Sequence, residues 1–408
     1  MPLPRFLQLH TLTSYPAVLL NRDDAGLAKR LPYGGTVRTR VSSQCLKRHW
    51  RTARGDEWGL DRTGLALSVR SREVFEYAIA PRLQERLPGA DAAVIEQAGL
   101  ALSRALYGEK ADDVRKRQAL LLGWREIEHL TDLLEPAVRA AASPDAAMKA
   151  LTALFKEREE KGNLAVIREQ AGSMAGGLEA ALFGRMVTSD PAANTDAAIH
   201  VAHAFTVHQQ ESETDYFTVV DDLKSADASE DAGSAGIFDT ELTSGLFYGY
   251  VVVDVPLLVA NLSGVDPERW AEPTTDRTLA ARVVEHLVHL VATVSPGAKK
   301  GSTAPYAWTQ CLLVEAGVRQ PRTLATAFEQ AVRATPQRSL SQAAEAALFD
   351  RLSAFDRAYG AREARAFLSL QPDARPGVEG PMELDALARW AAERVAGAAA
   401  GDAAPAHG

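Results

Sequence analysis

The order of strand-like and helix-like segments is the feature that most restricts the possible folds of this chain of 408 residues. Segments with strand character occur at 5–12, 34–42, 199–208, 215–223 and 243–255. Between the second and third of them, residues 70–160 follow a mostly helical pattern, broken at Pro88-Gly89 and at Ser143-Pro144. Strands separated by so long a helical insertion fit no simple βαβ series. The sequence therefore predicts an α+β fold rather than a doubly wound parallel sheet.

Local chemistry predicts several of the elements. The alternation in residues 5–12 indicates a first strand with one buried face. Ser42 is predicted to cap a helix that continues to Arg54 and buries Trp50. Three more segments complete the pattern: an amphipathic helix at 275–294, a long loop or hairpin at 184–196, and a flexible acidic loop at 225–236.

Positive charge is concentrated near the N-terminus, although the whole chain has a formal net charge of −8. Residues 22–54 contain nine Lys or Arg and only two acids. On the predicted helix, Lys47, Arg51 and Arg54 share one face. The ordinary interpretation of such a run is a solvated, salt-bridged face. The scarcity of acids, together with the neutral donors Ser42 and Gln44 at the helix start, favours an anion or nucleic-acid site instead.

Composition excludes several classes of protein. The only two cysteines, Cys45 and Cys311, are too far apart for a cysteine-rich zinc ribbon or a disulfide scaffold, and they suit a reducing compartment. Residues 1–16 lack the pattern of a signal peptide. A run of about 18 apolar residues, which a membrane span would need, does not occur. We therefore expect a cytoplasmic protein without a membrane partner.

Histidines raise the possibility of a metal site, but their spacing disfavours it. On a strand, His203 would face away from both His200 and His208, and those two would lie about 26 Å apart. His286 and His289 would share a helical face, yet no third ligand accompanies them as in HExxH. We expect no metal and no cofactor.

Other catalytic patterns are weak. Asp221 and Asp222 could form the carboxylate pair of a metal-dependent nuclease, but adjacent acids are more common where a strand enters an acidic loop. The sequence has no GxSxG elbow and no glycine-rich phosphate loop.

Seven stretches together resemble the CasC, or Cse4, family, the backbone subunit of the type I-E CRISPR Cascade complex. In chain order they are LNRDDAG (20–26), YGG (33–35), TRVSSQCLKRHWR (39–51), GRMVTSD (184–190), residues 199–223, SGLFYGY (244–250) and PGAKKGSTAPYA (296–307). The NRDD motif followed by SSQ-LKR is the most specific pair. Residues 55–160 and 320–408 resemble the family mainly in helical character.

The resemblance implies a modified RRM-like (ferredoxin-like) palm with a large helical insertion and a protruding thumb hairpin. The implied parts are a palm at 1–55 and about 161–320 with a thumb loop near 184–198, helical fingers at about 56–160, and C-terminal helices packing on the palm at about 321–396. The composition of residues 397–408 predicts a disordered tail. It also implies a protein that is not an enzyme. Copies would stack head to tail along CRISPR RNA beside other Cascade subunits and reach target DNA only through the guide.

The resemblance further implies a set of RNA-contacting residues. They are Arg22, Lys29, Arg38, Arg40, Ser42, Gln44, Lys47, Arg48, Arg51, Met186, Phe217 and Lys299. Met186 and Phe217 stand where the family places apolar wedges between nucleotides, although composition alone would equally allow core residues. Arg48 lies off the face of Lys47 and Arg51, which leaves a structural role open.

Two other functions stay open from the residues alone. One is a metal-dependent nuclease that processes CRISPR RNA with Asp221, Asp222 and a histidine. The other is a protein-only scaffold whose basic strip docks an acidic partner, such as the 225–236 loop of a neighbouring copy.

Overall fold

A large antiparallel sheet forms the centre of the computed structural model, which describes residues 2–157, 174–187, 190–220 and 234–397, without the side chains of 218–220 and 234–238. Its described strands run in the order β11-β10-β1-β9-β7-β3-β2, and β6 and β8 also pair with β9. They are β1 Phe6–Val18, β2 Arg30–Tyr33, β3 Thr36–Val41, β6 Ile199–Val201, β7 Ala204–Thr206, β8 Glu211–Val220, β9 Ser234–Asp254, β10 Cys311–Gly317 and β11 Ala364–Ser369. A separate pair joins β4 Ser68–Ser71 to β5 Leu120–Gly123.

Helices cover this sheet and build the insertion. They are α1 Ser43–Thr52, α2 Ala80–Arg86, α3 Ala92–Tyr107, α4 Trp124–Ala140, α5 Pro144–Glu157, α6 Leu178–Phe183, α7 Val255–Ser263, α8 Thr278–Thr293, α9 Lys300–Thr303, α10 Leu340–Tyr359 and α11 Leu384–Ala396. The α+β class and the helices predicted from Ser42 and at 275–294 are confirmed. Of the helices described, none is both long and apolar enough to cross a bilayer.

Strand β1 lies in the middle of the sheet and is buried on both faces. Leu7 and Leu9 pack in the core under α8 and α11, whereas Leu12 packs in the opposite core with α10. The prediction of one buried face was therefore wrong. The prediction assumed that the alternating polar residues face water. Gln8 and His10 are instead buried, and their side chains form hydrogen bonds within the protein.

The helical insertion has a hydrophobic core of its own, formed by side chains between Val74 and Phe155. Val187 and Ala193 belong to the same core. In its described part the expected thumb loop near 184–198 is therefore not a protruding hairpin, because Val187 and Ala193 pack on the insertion and Ala198 packs in the core under the sheet. The extended hairpin is formed instead by β8 and the first half of β9, paired from Glu211↔Ser244 to Val220↔Ser234.

Two boundaries near the C-terminal half also differ from expectation. Residues 321–396 contribute the edge strand β11 as well as helices, since β11 pairs with β10. Residues 234–236 of the predicted acidic loop begin β9, whereas 225–233 lie outside the described residues. Residues 398–408 of the expected disordered tail lie outside them too.

Candidate nucleic-acid interface

The loop of residues 21–29 folds against the start of α1. The Asn21 side-chain oxygen accepts the Ser42 N–H at 2.9 Å, and the Asn21 carbonyl accepts the Lys29 N–H at 3.0 Å. The Lys29 carbonyl in turn accepts the Arg40 N–H at 2.8 Å. These bonds bring Lys29, Arg40 and Ser42 together, with Arg22 exposed at the loop's start.

The same loop is fixed to the hairpin. Glu241, buried at the base of the hairpin in β9, accepts the Ala28 N–H at 2.7 Å and pairs with Arg30. Because a buried carboxylate needs such partners, this contact fixes the loop relative to β9. The basic loop and the hairpin are therefore held as one surface.

Two backbone donors at the start of α1 are bonded to side chains of the protein. Ser42 Oγ accepts the Cys45 N–H at 3.3 Å, as predicted for the cap. The Ser43 N–H donates to Nδ1 of His203 at 3.2 Å. With these amides occupied, the side chains of α1 rather than its open N-terminus offer most of the donors to an anion.

His203 is a member of this surface that the sequence analysis missed. Burial lowers the pKa of His203, and Arg40, Lys29 and Lys47 lower it further. The neutral ring accepts at Nδ1, so its proton is on Nε2. No sequence signal marks it: residues 199–208 have continuous strand character, whereas the structure has a break at residues 202–203 between β6 and β7.

A basic cleft of about 610 Å³ lies between α1 and the β4–β5 pair. Five cationic side chains line it: Lys47, Arg48, Arg51, Arg54 and Arg70. Among the described residues, none of the five forms an ion pair with a carboxylate. Gln44 also lines the cleft. The structure thus gathers the helix part of the predicted set on one cleft, with Arg48 included.

The cleft has an excess of positive charge. Burial lowers the pKa of Lys47 and of Arg51, and the nearby Arg70 lowers both further. Like charges held this close disfavour their own ionised forms until an anion joins them. A polyanion that entered the cleft would relieve this repulsion.

Arg38 is not part of the surface, which corrects its predicted RNA contact. Its side chain has 0% exposure. The guanidinium donates to the carbonyls of Thr206 at 3.0 Å, Phe328 at 3.1 Å and Glu329 at 3.3 Å. Because its donors face buried carbonyl oxygens, Arg38 links β3 to two distant segments and has a structural role.

The three remaining predicted residues divide into two places. Lys299 directly precedes α9, and its side chain reaches the hairpin, with Nζ beside Thr240 and 5.8 Å from the ring centroid of Phe217. Met186 lies beside the insertion, where its carbonyl accepts from Gln118 Nε2 at 3.4 Å. Phe217 is 42% exposed and Met186 66% exposed, so neither is a core residue.

The histidines and acids considered for metal binding do not converge in the described part of the chain, where no group of three His, Cys, Asp or Glu could hold an ion. His208 Nε2 accepts the Leu246 N–H at 3.1 Å. His286 bonds the Trp58 carbonyl at 3.0 Å, and His289 stacks on the Trp58 ring at 3.7 Å. The predicted pair Asp221 and Asp222 lies outside the described residues.

The fold and this surface define an α+β protein with a basic cleft, at the junction of a sheet domain and a helical insertion, that is suited to a polyanion. A model of the CT1975-like protein family matches residues 7–391, so the chain belongs to the CT1975-like family of Cas proteins. The family recognised from the motifs, that of the Cascade backbone subunit, is confirmed.

Solved structures agree with this assignment. The chain is similar to a chain of a CRISPR RNA-guided surveillance complex, described as pre-nicking, with 25% identity and a TM-score of 0.69, over 95% of this chain and 100% of that one. A chain of a second CRISPR RNA-guided surveillance complex shares the fold, with 23% identity and a TM-score of 0.61, over 94% and 99%. No curated protein matches the chain.

Proposed function

We propose that this protein is a non-catalytic, CRISPR RNA-binding backbone subunit of a Cascade surveillance complex. The observation that carries the proposal is the cleft beside α1, where five cationic side chains lack carboxylate partners among the described residues. In a protein with a net charge of −8, like charges gathered this closely repel each other until an anion neutralises them.

The chemistry of the surface favours a nucleic-acid backbone over bases. Lys and Arg side chains with Ser42 and Gln44 bind phosphate and sugar oxygens, which carry no sequence information. A subunit that must hold any guide should use such contacts and leave sequence recognition to pairing between guide and target. Phe217 and Met186, exposed on the hairpin and beside the insertion, would separate nucleotides by insertion between them.

Assembly follows from the same role. In this proposal the sheet is an RRM-like palm, the insertion is the fingers, and copies stack head to tail along the guide in the cytoplasm with other Cascade subunits. Head-to-tail contacts are heterologous and open, so they extend along the RNA instead of closing into a dimer. Target DNA would be reached through the guide.

The proposal is tested by RNA binding of the Lys47→Ala/Arg51→Ala double variant, measured by fluorescence anisotropy over a series of salt concentrations. Two guides of unrelated sequence should lose affinity equally. The slope of log K against log salt should fall by about 1.4, since each lost phosphate contact on a single strand contributes about 0.7. Arg389→Ala, an exposed arginine on α11, is the matched control.

A loss of affinity that differs between the two guides would contradict the proposal, as would no loss at all. The nuclease alternative is tested in parallel by incubating the protein and a repeat RNA with a divalent ion. The proposal predicts that the RNA stays intact.

A further inference from the structure

The basic cleft has two walls that belong to different parts of the fold. Lys47, Arg48 and Arg51 come from α1, whose Trp50 packs in the core under the sheet. Arg70 comes from β4, whose neighbours Leu120 and Leu122 pack in the separate core of the insertion. Any ligand that fills the cleft therefore contacts both parts.

The acidic residue that lines the cleft, Glu179, is hydrogen-bonded within the protein. Its side chain is buried, and its Oε2 accepts both the Ser68 N–H at 2.6 Å and the Ser68 hydroxyl at 2.7 Å. This contact joins β4 to α6 and positions Arg70 two residues later. Glu179 is thus a positioning residue for the insertion wall. Its charge raises the pKa of Arg51, but burial and the nearby Arg70 outweigh this effect, so the cleft keeps an excess of positive charge.

We propose that Arg70 is a further phosphate-binding residue, and that a nucleic-acid backbone in this cleft bridges α1 and the insertion. The inference rests on the proposed function and adds to it a phosphate-binding residue from a second structural unit. Without a polyanion the facing cations repel each other. With one, Arg51 and Arg70 share the same backbone, so guide binding fixes the insertion against the palm.

The first test is the salt dependence of RNA binding by Arg70→Ala in the full chain, with Arg70→Lys as the conservative variant and Arg389→Ala as the control. Arg70→Ala should weaken binding of a single-stranded RNA several-fold and lower the slope by about 0.7, the value for one lost phosphate contact. Arg70→Lys should keep the slope, because it keeps the charge. An unchanged slope in Arg70→Ala would overturn the inference.

The second test separates the bridge from a merely additive charge. Hydrogen exchange with and without RNA should show protection of the amides of both α1 and β4 in the native protein. In Arg70→Ala the protection of α1 should persist and that of β4 should be lost. Equal protection of β4 in the native protein and in Arg70→Ala would contradict the bridge.

The inference and the proposed function can fail separately. If Lys47→Ala/Arg51→Ala weakens RNA binding but Arg70→Ala does not, only the bridge is wrong. If neither variant changes binding, the cleft is not the RNA site and the proposed function fails with it.

Discussion

Arg38 and Arg40 stand two residues apart on β3 and have different surroundings. Arg38 is enclosed by carbonyl oxygens from β7 and from residues 328–329. Arg40 is only partly buried and donates to the Arg30 carbonyl and toward His203. The first side chain stabilises the fold, and the second remains available to a phosphate.

This contrast predicts opposite effects for two alanine substitutions. Arg38→Ala should lower the free energy of unfolding by roughly 2–3 kcal/mol, because hydrogen bonds from a charged donor are lost and buried carbonyls are left unpaired. Arg40→Ala should change it by less than about 0.5 kcal/mol, as is usual near the surface, while weakening RNA binding. Urea unfolding followed by circular dichroism measures both. Equal stability losses in the two variants would contradict the assignment.

A buried network around His10 predicts how stability depends on pH. His10 Nε2 donates to Glu315 at 3.1 Å, and Tyr248 O–H bonds Nδ1 at 2.9 Å. Burial lowers the pKa of His10, outweighing the opposite effect of Glu315, while Arg322 and Arg365 lower it further. Burial alone would raise the pKa of Glu315, but hydrogen bonds from His10 and Arg322 lower it below its usual range.

Both shifts have the same sign for stability. The unfolded chain protonates His10 near 6.5 and Glu315 near 4.5, before the folded protein does. The free energy of unfolding should therefore fall as the pH drops from about 7 to about 5, where the histidine contribution is lost. In His10→Gln this fall should be smaller, as measured by urea unfolding across that range. Identical pH slopes in the two proteins would rule out His10 as a source.

Residue-level predictions from sequence succeeded where the determining neighbours are local. Ser42 caps α1 through an amide three residues later, which the sequence alone indicates. The burial of Arg38 depends on carbonyls some 170 and 290 positions away, and Arg70 joins the cleft from another core. No local pattern encodes such neighbours.

At the scale of elements, the hairpin of β8 and β9 presents two adjacent aromatic residues. Tyr216 is 72% exposed, and Phe217 faces the opposite side of the strand, where Lys299 lies 5.8 Å from its ring. A ring next to a cation offers a nucleotide both a stacking surface and a charge for its phosphate.

Phe217→Ala should therefore weaken RNA binding by about 1–3 kcal/mol, the usual value of one base–aromatic stack. Tyr216→Ala, its neighbour on the other face, should leave affinity nearly unchanged and is the matched control. Anisotropy with a single-stranded RNA measures both. A larger loss for Tyr216→Ala than for Phe217→Ala would show that the stacking face is on the opposite side of the hairpin.

Element types were more predictable than their placement. Residues 243–255 are the most strand-like run in the sequence, and β9 includes all of them except the last, where α7 begins. The sequence could not tell that Val187 and Ala193 pack on the insertion, because that depends on the ion pair of Arg185 with Glu126 at 2.6 Å and on the shared core. Polar hairpins and polar packed loops look alike until their distant partners are known.

At the scale of the whole molecule, the net charge has the opposite sign to the charge of the cleft. The chain is acidic overall, but charges farther apart than about 10 Å are screened in salt, so a ligand responds to the local cleft. The fold creates this local field by joining α1 to β4. The basic residues of α1 could be predicted from the sequence, whereas Arg70 on the opposite wall of the cleft could not.

The central claim is that the α1 cleft holds the guide in an assembly of repeated subunits. The most direct measurement is co-expression with a CRISPR array and the other presumed subunits, followed by nuclease treatment of the purified particle and sizing of the protected RNA. The account predicts a regular ladder of fragments that collapses in Lys47→Ala/Arg51→Ala and persists in Arg389→Ala. An intact, folded assembly without co-purifying RNA would contradict it and favour a protein-docking role for the basic surface.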